Sequence, residues 1–129
     1  MSKLAFIFPG QGAQKAGMGK DFYENSEAAR SFFDQAQKIL DFDLKEMCFG
    51  EHEELNLTEY TQPCMVSVCL AIVQELKKRG INPDITAGLS LGEYGALAAA
   101  GVMELPDLFR IIRMRGIYMQ EAYPEGGAM

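Results

Sequence analysis

The sequence predicts an α/β fold in which parallel strands are joined by crossover helices, and three observations carry that expectation. Two short β-branched and aromatic segments, Lys3 to Phe8 and Asp84 to Leu89, are separated by long stretches of helical periodicity. Each runs into a glycine-bearing loop, Pro9-Gly10 after the first and Ser90 between Gly88 and Gly92 after the second. With 129 residues, 48% of them hydrophobic and 23% charged, the chain suits one core-bearing unit, read as residues 1–129. Strands alternating with helices favour a parallel sheet, because parallel neighbours need a long connection between them.

Taken in order, Lys3 to Phe8 is the first strand, broken by Pro9-Gly10. From Met18 to about Gly50 the chain is helical in character, with Phe22, Phe32, Phe33, Ala36 and Leu40 among charges and Ser26 and Asp41 as candidate caps. Thr61 is the candidate cap of the next helix and Pro63 suits its first turn. Met65 to Leu76 is apolar nearly all round, which predicts burial on most faces. Lys77, Lys78 and Arg79 then place cations at the negative helix end, and Gly80 follows as a residue tolerant of positive φ. Asn82-Pro83 turns the chain into the second buried strand. From Leu91 the small residues Gly92, Gly95, Ala96 and Ala99 recur at helical spacing, a face able to pack close to a sheet. Glu104, Leu105 and Pro106 open a last helix running to about Ala122, and Pro124 to Gly127 reads as a turn. No internal repeat or low-complexity tract interrupts this order.

Composition excludes several classes of function. Eighteen acidic against 12 basic residues give a net charge of -6, which repels a phosphate backbone, so no nucleic-acid partner is expected. The longest strongly apolar run, Met65 to Val73, falls short of the ~20 residues of a membrane helix. Leu4 to Phe8 is too brief for a secretory signal, so a cytoplasmic location and no membrane partner are expected. Cys48, Cys64 and Cys69 form no CxxC pair and are odd in number, which reads as reduced, packed thiols. One histidine among scattered cysteines offers no metal-ligand spacing, so no metal and no cofactor are expected. Between Asp41 and Glu59 seven acids accompany only Lys45, a pattern read as a solvated face.

Gly88-Leu89-Ser90-Leu91-Gly92 matches G-x-S-x-G, with a strand expected before it and a helix after it. A serine on so sharp a turn takes a strained backbone, and the glycines either side remove side chains that would collide. The helix starting near Leu91 would point free N–H groups and its positive end at the oxyanion of an acyl transfer. A plain turn with Ser90 capping the helix is the alternative. Phe8-Pro9-Gly10-Gln11-Gly12-Ala13-Gln14 resembles a nucleotide loop but fails the phosphate-loop pattern at Gln14 and Asp21, and G-x-G-x-x-G at Lys15. The backbone N–H near Gln11 is instead a candidate second oxyanion donor, and a structural turn explains the loop equally well.

Arg115 is the third candidate. Leu108, Ile111, Ile112, Tyr118, Met119 and Ala122 define an apolar arc with Arg115 at its middle, while Arg110, Arg113, Gln120 and Glu121 lie opposite. A buried guanidinium requires an anion, and its fork suits a carboxylate. An internal salt bridge or a snorkelling stem would meet that need as well as a ligand. Arg110 and Arg113 read as solvated. His52, inside Glu51-His52-Glu53-Glu54, reads as an exposed residue rather than a base for Ser90, so no catalytic triad closes within the sequence.

GQGAQ after the first strand, GLSLGEY at the second and RMRGIYM around position 115 together resemble malonyl-CoA:acyl-carrier-protein transacylases and the acyltransferase domains of polyketide and fatty-acid synthases. The resemblance runs from the first strand to Met129, although family members are considerably longer. It implies that these residues are the N-terminal part of an α/β-hydrolase-like large subdomain, with parallel strands flanked by helices. The ferredoxin-like small subdomain and the catalytic histidine would lie beyond Met129. Position 89, often histidine in the family, is Leu89, which makes the entrance more apolar, and the loop's frequent serine is Ala13.

The resemblance further implies that Ser90 is the nucleophile, that backbone N–H groups of Gln11 and Leu91 form the oxyanion hole, and that Arg115 grips the free carboxylate of malonate. Malonyl would pass from malonyl-CoA to Ser90 and then to the phosphopantetheine thiol of acyl carrier protein, a ping-pong reaction of fatty acid biosynthesis. The whole enzyme is expected to be a monomer, and the start at Met1 favours a stand-alone protein. The 129 residues alone are expected to be inactive for want of the histidine. Two rivals share the sequence features: a serine esterase or thioesterase using the same elbow, and a folding or interaction fragment without turnover.

Overall fold

The computed structural model describes residues 2–126. Strand β1 (Ala5–Phe8) leads through the glycine-rich loop to helices α1 (Lys20–Asn25), α2 (Glu27–Gln37) and α3 (Leu44–Phe49). A 3-10 turn at Glu53–Asn56 precedes the long helix α4 (Thr58–Lys78), then come strand β2 (Ile85–Gly88), helix α5 (Gly92–Ala99) and helix α6 (Leu105–Ala122). The strands pair in parallel, Ala5 against Ile85 through Phe8 against Gly88. The sheet therefore has the expected parallel topology with a helical crossover. Of the expected turn at Pro124 to Gly127, Gly127 lies outside the described residues.

Helix α4 is the centre of the core. Thr61 to Val68, Leu70, Ala71 and Val73 are all buried along it, as its apolar sequence predicts, and Phe33 of α2 and Phe109 and Ile112 of α6 are sealed in the same core. Its C-terminus closes as expected: Gly80 has φ +78°, its N–H donates to Lys77 O at 2.9 Å, and the N–H of Ile81 donates to Leu76 O at 2.9 Å.

Its start differs from expectation. The helix begins at Thr58, so Thr61 is no cap; its hydroxyl turns to the carbonyls of Leu55 and Leu57. Pro63 consequently sits in the second turn rather than the first. Lacking an N–H, it leaves the Glu59 carbonyl without its helical donor. Arg113 of α6 replaces that donor, Nη1 to Glu59 O at 2.8 Å. The orphan N–H of Thr58 is met by Gln120 Oε1 at 2.7 Å.

Two further expectations change. Ser26 caps α2 as predicted, its hydroxyl accepting from Ala29 N at 3.0 Å, but α3 is capped by Asp43, which accepts from Glu46 N at 3.0 Å, and not by Asp41. Asp41 instead pairs with Arg113 at 2.7 Å. The strands, expected to be fully buried, are covered on one side only: Phe8 is in the core while Ile7 and Ile85 are 78% and 62% exposed. Alternation along a strand separates its two faces, and among the described residues only α5 packs broadly on this sheet.

Candidate active site

Ser90 lies in the short turn between β2 and α5, and it is the only described non-glycine residue with positive φ, +54°. The strain is held in place by close packing on either side. A Cβ on Gly88 would stand 2.1 Å from the Gly92 carbonyl, and one on Gly92 would stand 2.4 Å from Phe8 O. No side chain larger than hydrogen fits at either position, which accounts for the glycines two residues before and after the serine. Leu89 N donates to Phe8 O at 3.1 Å, continuing the parallel pairing one residue past the strand.

That same contact brings the first glycine-rich loop to the elbow. A Cβ on Gly10 would meet Leu89 O at 3.1 Å and the Leu89 side chain at 3.2 Å. Gln11 follows, and its side chain ties the loop to the start of α4 through Nε2 to Thr58 Oγ1 at 3.0 Å. The backbone N–H groups of Gln11 and Leu91 donate to no described acceptor, whereas those of Gly92, Glu93 and Tyr94 are used within the turn. Leu91 immediately precedes α5, where the helix dipole is positive. Leu89 is 71% exposed beside this opening.

Arg115 reaches the elbow from α6. Its Nη2 donates to Ser90 Oγ at 3.3 Å and its Nη1 to Gln62 Oε1 at 2.7 Å, and its guanidinium lies 5.3 Å from the ring centre of Tyr94. Among the described residues no carboxylate forms an ion pair with it. The internal salt bridge and the solvated stem, both open from sequence, are thus replaced by a fork anchored on neutral partners beside a half-buried serine.

The helical arc that singled out Arg115 is itself displaced. Ile111, Tyr118 and Ala122 are exposed, and the buried side of α6 runs through Leu108, Phe109, Ile112 and Gly116. Gly116 permits the shift, since a Cβ there would lie 3.0 Å from Glu59 Cα and from Thr58 O, so α6 lies directly against α4. Arg115 stands at the border between this buried face and an open apolar groove lined by Ile111, Met114 and Tyr118. Arg113 moves the other way, from the expected solvated face to a side chain only 13% exposed. It is paired with Asp41 and Glu59 and stacked near Phe42 and Tyr60.

His52 is half-buried rather than exposed, with Nε2 2.9 Å from Glu46 Oε1, and it does not join Ser90. The acidic stretch is in part structural, with Asp41, Asp43, Glu46 and Glu59 each engaged. Cys48, Cys64 and Cys69 are free thiols. No helix is long and apolar enough to cross a membrane, and no cluster of His, Cys, Asp or Glu could hold a metal, both among the described residues. Sequence reasoning missed Gln62 and Tyr94. Gln62 carried a signal: an amide in a helix apolar on nearly every side has to find a polar partner.

A family model described as acyl transferase domain matches residues 5–129. The chain belongs to the acyl transferase domain family. It is 49% identical over 131 aligned residues to the malonyl CoA-acyl carrier protein transacylase of Bacillus subtilis, covering 100% of this chain and 41% of that protein. The acyl transferase fold extends to solved structures. The malonyl CoA-acyl carrier protein transacylase of Clostridium perfringens superposes with a TM-score of 0.91 at 44% identity, over 97% of this chain and 40% of the other. A malonyl-transacylase solved with its type II polyketide-synthase acyl-carrier protein gives 0.89 at 40% identity, over 97% and 41%. The chain therefore spans about two-fifths of the length of the relatives it matches.

Proposed function

We propose that these residues supply the nucleophile and the carboxylate-binding group of an enzyme that moves malonyl from malonyl-CoA to the phosphopantetheine thiol of acyl carrier protein in fatty acid biosynthesis. The observation that carries the reading is the juxtaposition of Arg115 and Ser90, a guanidinium free of any described carboxylate one hydrogen bond from a strained serine. A carboxylate seated on that fork and a carbonyl at Ser90 Oγ must belong to one short acyl chain, and a three-carbon diacid has that reach.

In the first half-reaction Ser90 Oγ forms a bond to the thioester carbonyl carbon and the carbon–sulfur bond breaks, releasing coenzyme A. The negative charge that develops on the carbonyl oxygen is held by the N–H groups of Gln11 and Leu91, both without another acceptor. In the second half-reaction the carrier's thiol attacks the acyl carbon, the carbon–oxygen bond to Ser90 breaks, and Ser90 Oγ takes up the proton that the thiol gives up. The base is the family's histidine, supplied by sequence beyond these 129 residues, since His52 is engaged with Glu46. It takes the Ser90 proton and gives it to the departing coenzyme A sulfur, then takes the carrier thiol's proton and gives it to Ser90. No cofactor or metal enters these steps. The enzyme acts as a cytoplasmic monomer, and residues 1–129 form the N-terminal part of its large subdomain.

A pocket built around a guanidinium discriminates against acetyl, which would leave the charge unpaired. The test is to incubate the full-length protein with malonyl-CoA and carrier protein bearing its phosphopantetheine, and to follow malonyl-carrier and free malonate by mass. Malonyl-carrier is the expected product. Release of malonate at the same rate with or without carrier would overturn the reading in favour of a thioesterase.

A further inference from the structure

Two arginines two residues apart on α6 have opposite partners. Arg113 is saturated by two carboxylates, Asp41 at 2.7 Å and Glu59 at 3.2 Å. Arg115 is held at 2.7 Å by the side-chain oxygen of Gln62, a neutral acceptor. We infer that Gln62 is a specificity-determining positioning residue: it fixes the Arg115 fork beside Ser90 through an uncharged oxygen, so the guanidinium is aimed while its charge stays available to a substrate carboxylate. This inference rests on the reading of Arg115 as the carboxylate-binding group.

Gln62 is fully buried on α4, and both ends of its amide are committed. Oε1 accepts from Arg115, and Nε2 lies 3.2 Å from the thioether sulfur of Met119. Those partners determine which way the amide points. A guanidinium only donates and a thioether only accepts, so the flipped amide would set donor against donor and acceptor against acceptor. The oxygen cannot turn away from Arg115 without losing both contacts. Tyr94 packs on the guanidinium at 5.3 Å, so the fork is restrained from α4 and α5 together. One guanidinium edge remains directed at Ser90.

The neutrality of residue 62 is then the decisive property. A glutamate has nearly the shape of glutamine, yet at this position it would form an internal ion pair with Arg115 of the kind that already occupies Arg113. Its second oxygen would also face the Met119 sulfur. The fork would still be positioned, but its charge would be spent on the protein, and a malonyl carboxylate would meet a like-charged neighbour. Leucine at 62 would leave the charge and remove the anchor.

The experiment measures kcat/KM of the full-length protein for malonyl-CoA and acetyl-CoA in wild type, Gln62→Glu, Gln62→Leu and Arg115→Ala. The malonyl-to-acetyl ratio is taken on one preparation of each, so any loss of folded protein cancels. Gln62→Glu is expected to lower the ratio by about tenfold or more, mainly through a higher KM for malonyl-CoA, a loss of the size expected when a charge-assisted contact is removed. Gln62→Leu is expected to raise the malonyl KM with a smaller fall in the ratio. An unchanged ratio in Gln62→Glu, or an unchanged malonyl KM in Gln62→Leu, while Arg115→Ala collapses the ratio, would overturn the role of Gln62 and leave that of Arg115 standing. An unchanged ratio in Arg115→Ala would instead defeat the reading of Arg115 beneath it.

Discussion

Phe8 and Gly92, at the end of the first strand and the start of α5, are packed so closely that a methyl on Gly92 would stand 2.4 Å from the Phe8 carbonyl oxygen. The neighbouring Pro9 carbonyl would lie at 2.8 Å. Both opposing atoms are backbone, so neither can rotate aside. Gly92→Ala is therefore expected to destabilise the protein by about 1–3 kcal/mol, the usual cost of overpacking. It should also part the Gln11 loop from the Ser90 elbow. Chemical denaturation measures the first effect, and kcat for malonyl transfer the second; a native midpoint with unchanged kcat would refute the contact.

Arg115→Ala removes the fork while leaving the elbow intact. The expected result is a fall in kcat/KM for malonyl-CoA of about 10- to 100-fold, from the loss of hydrogen bonds to a charged group. Acetyl transfer should persist or rise. Equal losses for both acyl groups would show that Arg115 supports the serine rather than the carboxylate.

The hydrogen bonds and charge of Arg113 hold the Asp41 carboxyl below its ordinary range. Glu75 is lowered in the same direction by Ser26 and Arg79. The unfolded chain therefore binds protons more readily than the folded one, so the stabilisation is present above the ordinary carboxylate range and is lost as pH falls through the lowered folded values. Unfolding midpoints followed from pH 7 down to about pH 3 should decline through acid, and less steeply in Asp41→Asn. Arg113→Leu should cost about 1–3 kcal/mol at neutral pH, because it strips Glu59 of a partner for both its carboxylate and its carbonyl.

The thiols should be inert in the native state. Burial pushes Cys69 up to about 11, and Cys64 is raised by its hydrogen bond with Cys48 and by burial. Since the thiolate is the reactive form, a chromogenic disulfide reagent near pH 7.5 should label these three positions only after denaturation. Rapid native labelling mapped to Cys64 or Cys69 would contradict their packing.

The parts legible in the sequence are those governed by neighbours a few residues apart. The Gly80 helix end, the Ser26 cap, the all-round burial of α4 and the glycine-spaced elbow follow from local sterics and from periodicity. Arg115 stands out in the sequence at the middle of an apolar arc that the fold then displaces, since the buried side of α6 runs through Phe109 and Gly116 and leaves Arg115 at its border. The misses depend on partners far along the chain. Arg113 reads as solvated because Asp41 lies 72 residues away, and Gln62 goes unnoticed because its partner Arg115 lies 53 residues away. Pro63 in the second turn looks improbable until Arg113 is seen to serve the carbonyl it frees.

The central claim is that the Ser90 hydroxyl carries the acyl group, and it is tested most directly by trapping that group. The full-length protein is mixed briefly with malonyl-CoA, quenched in acid and mapped by peptide mass. A malonyl ester on residue 90, absent from a Ser90→Ala variant with a native melting profile, is the expected result. A malonyl group on a different side chain, or an undiminished adduct in Ser90→Ala, would contradict it.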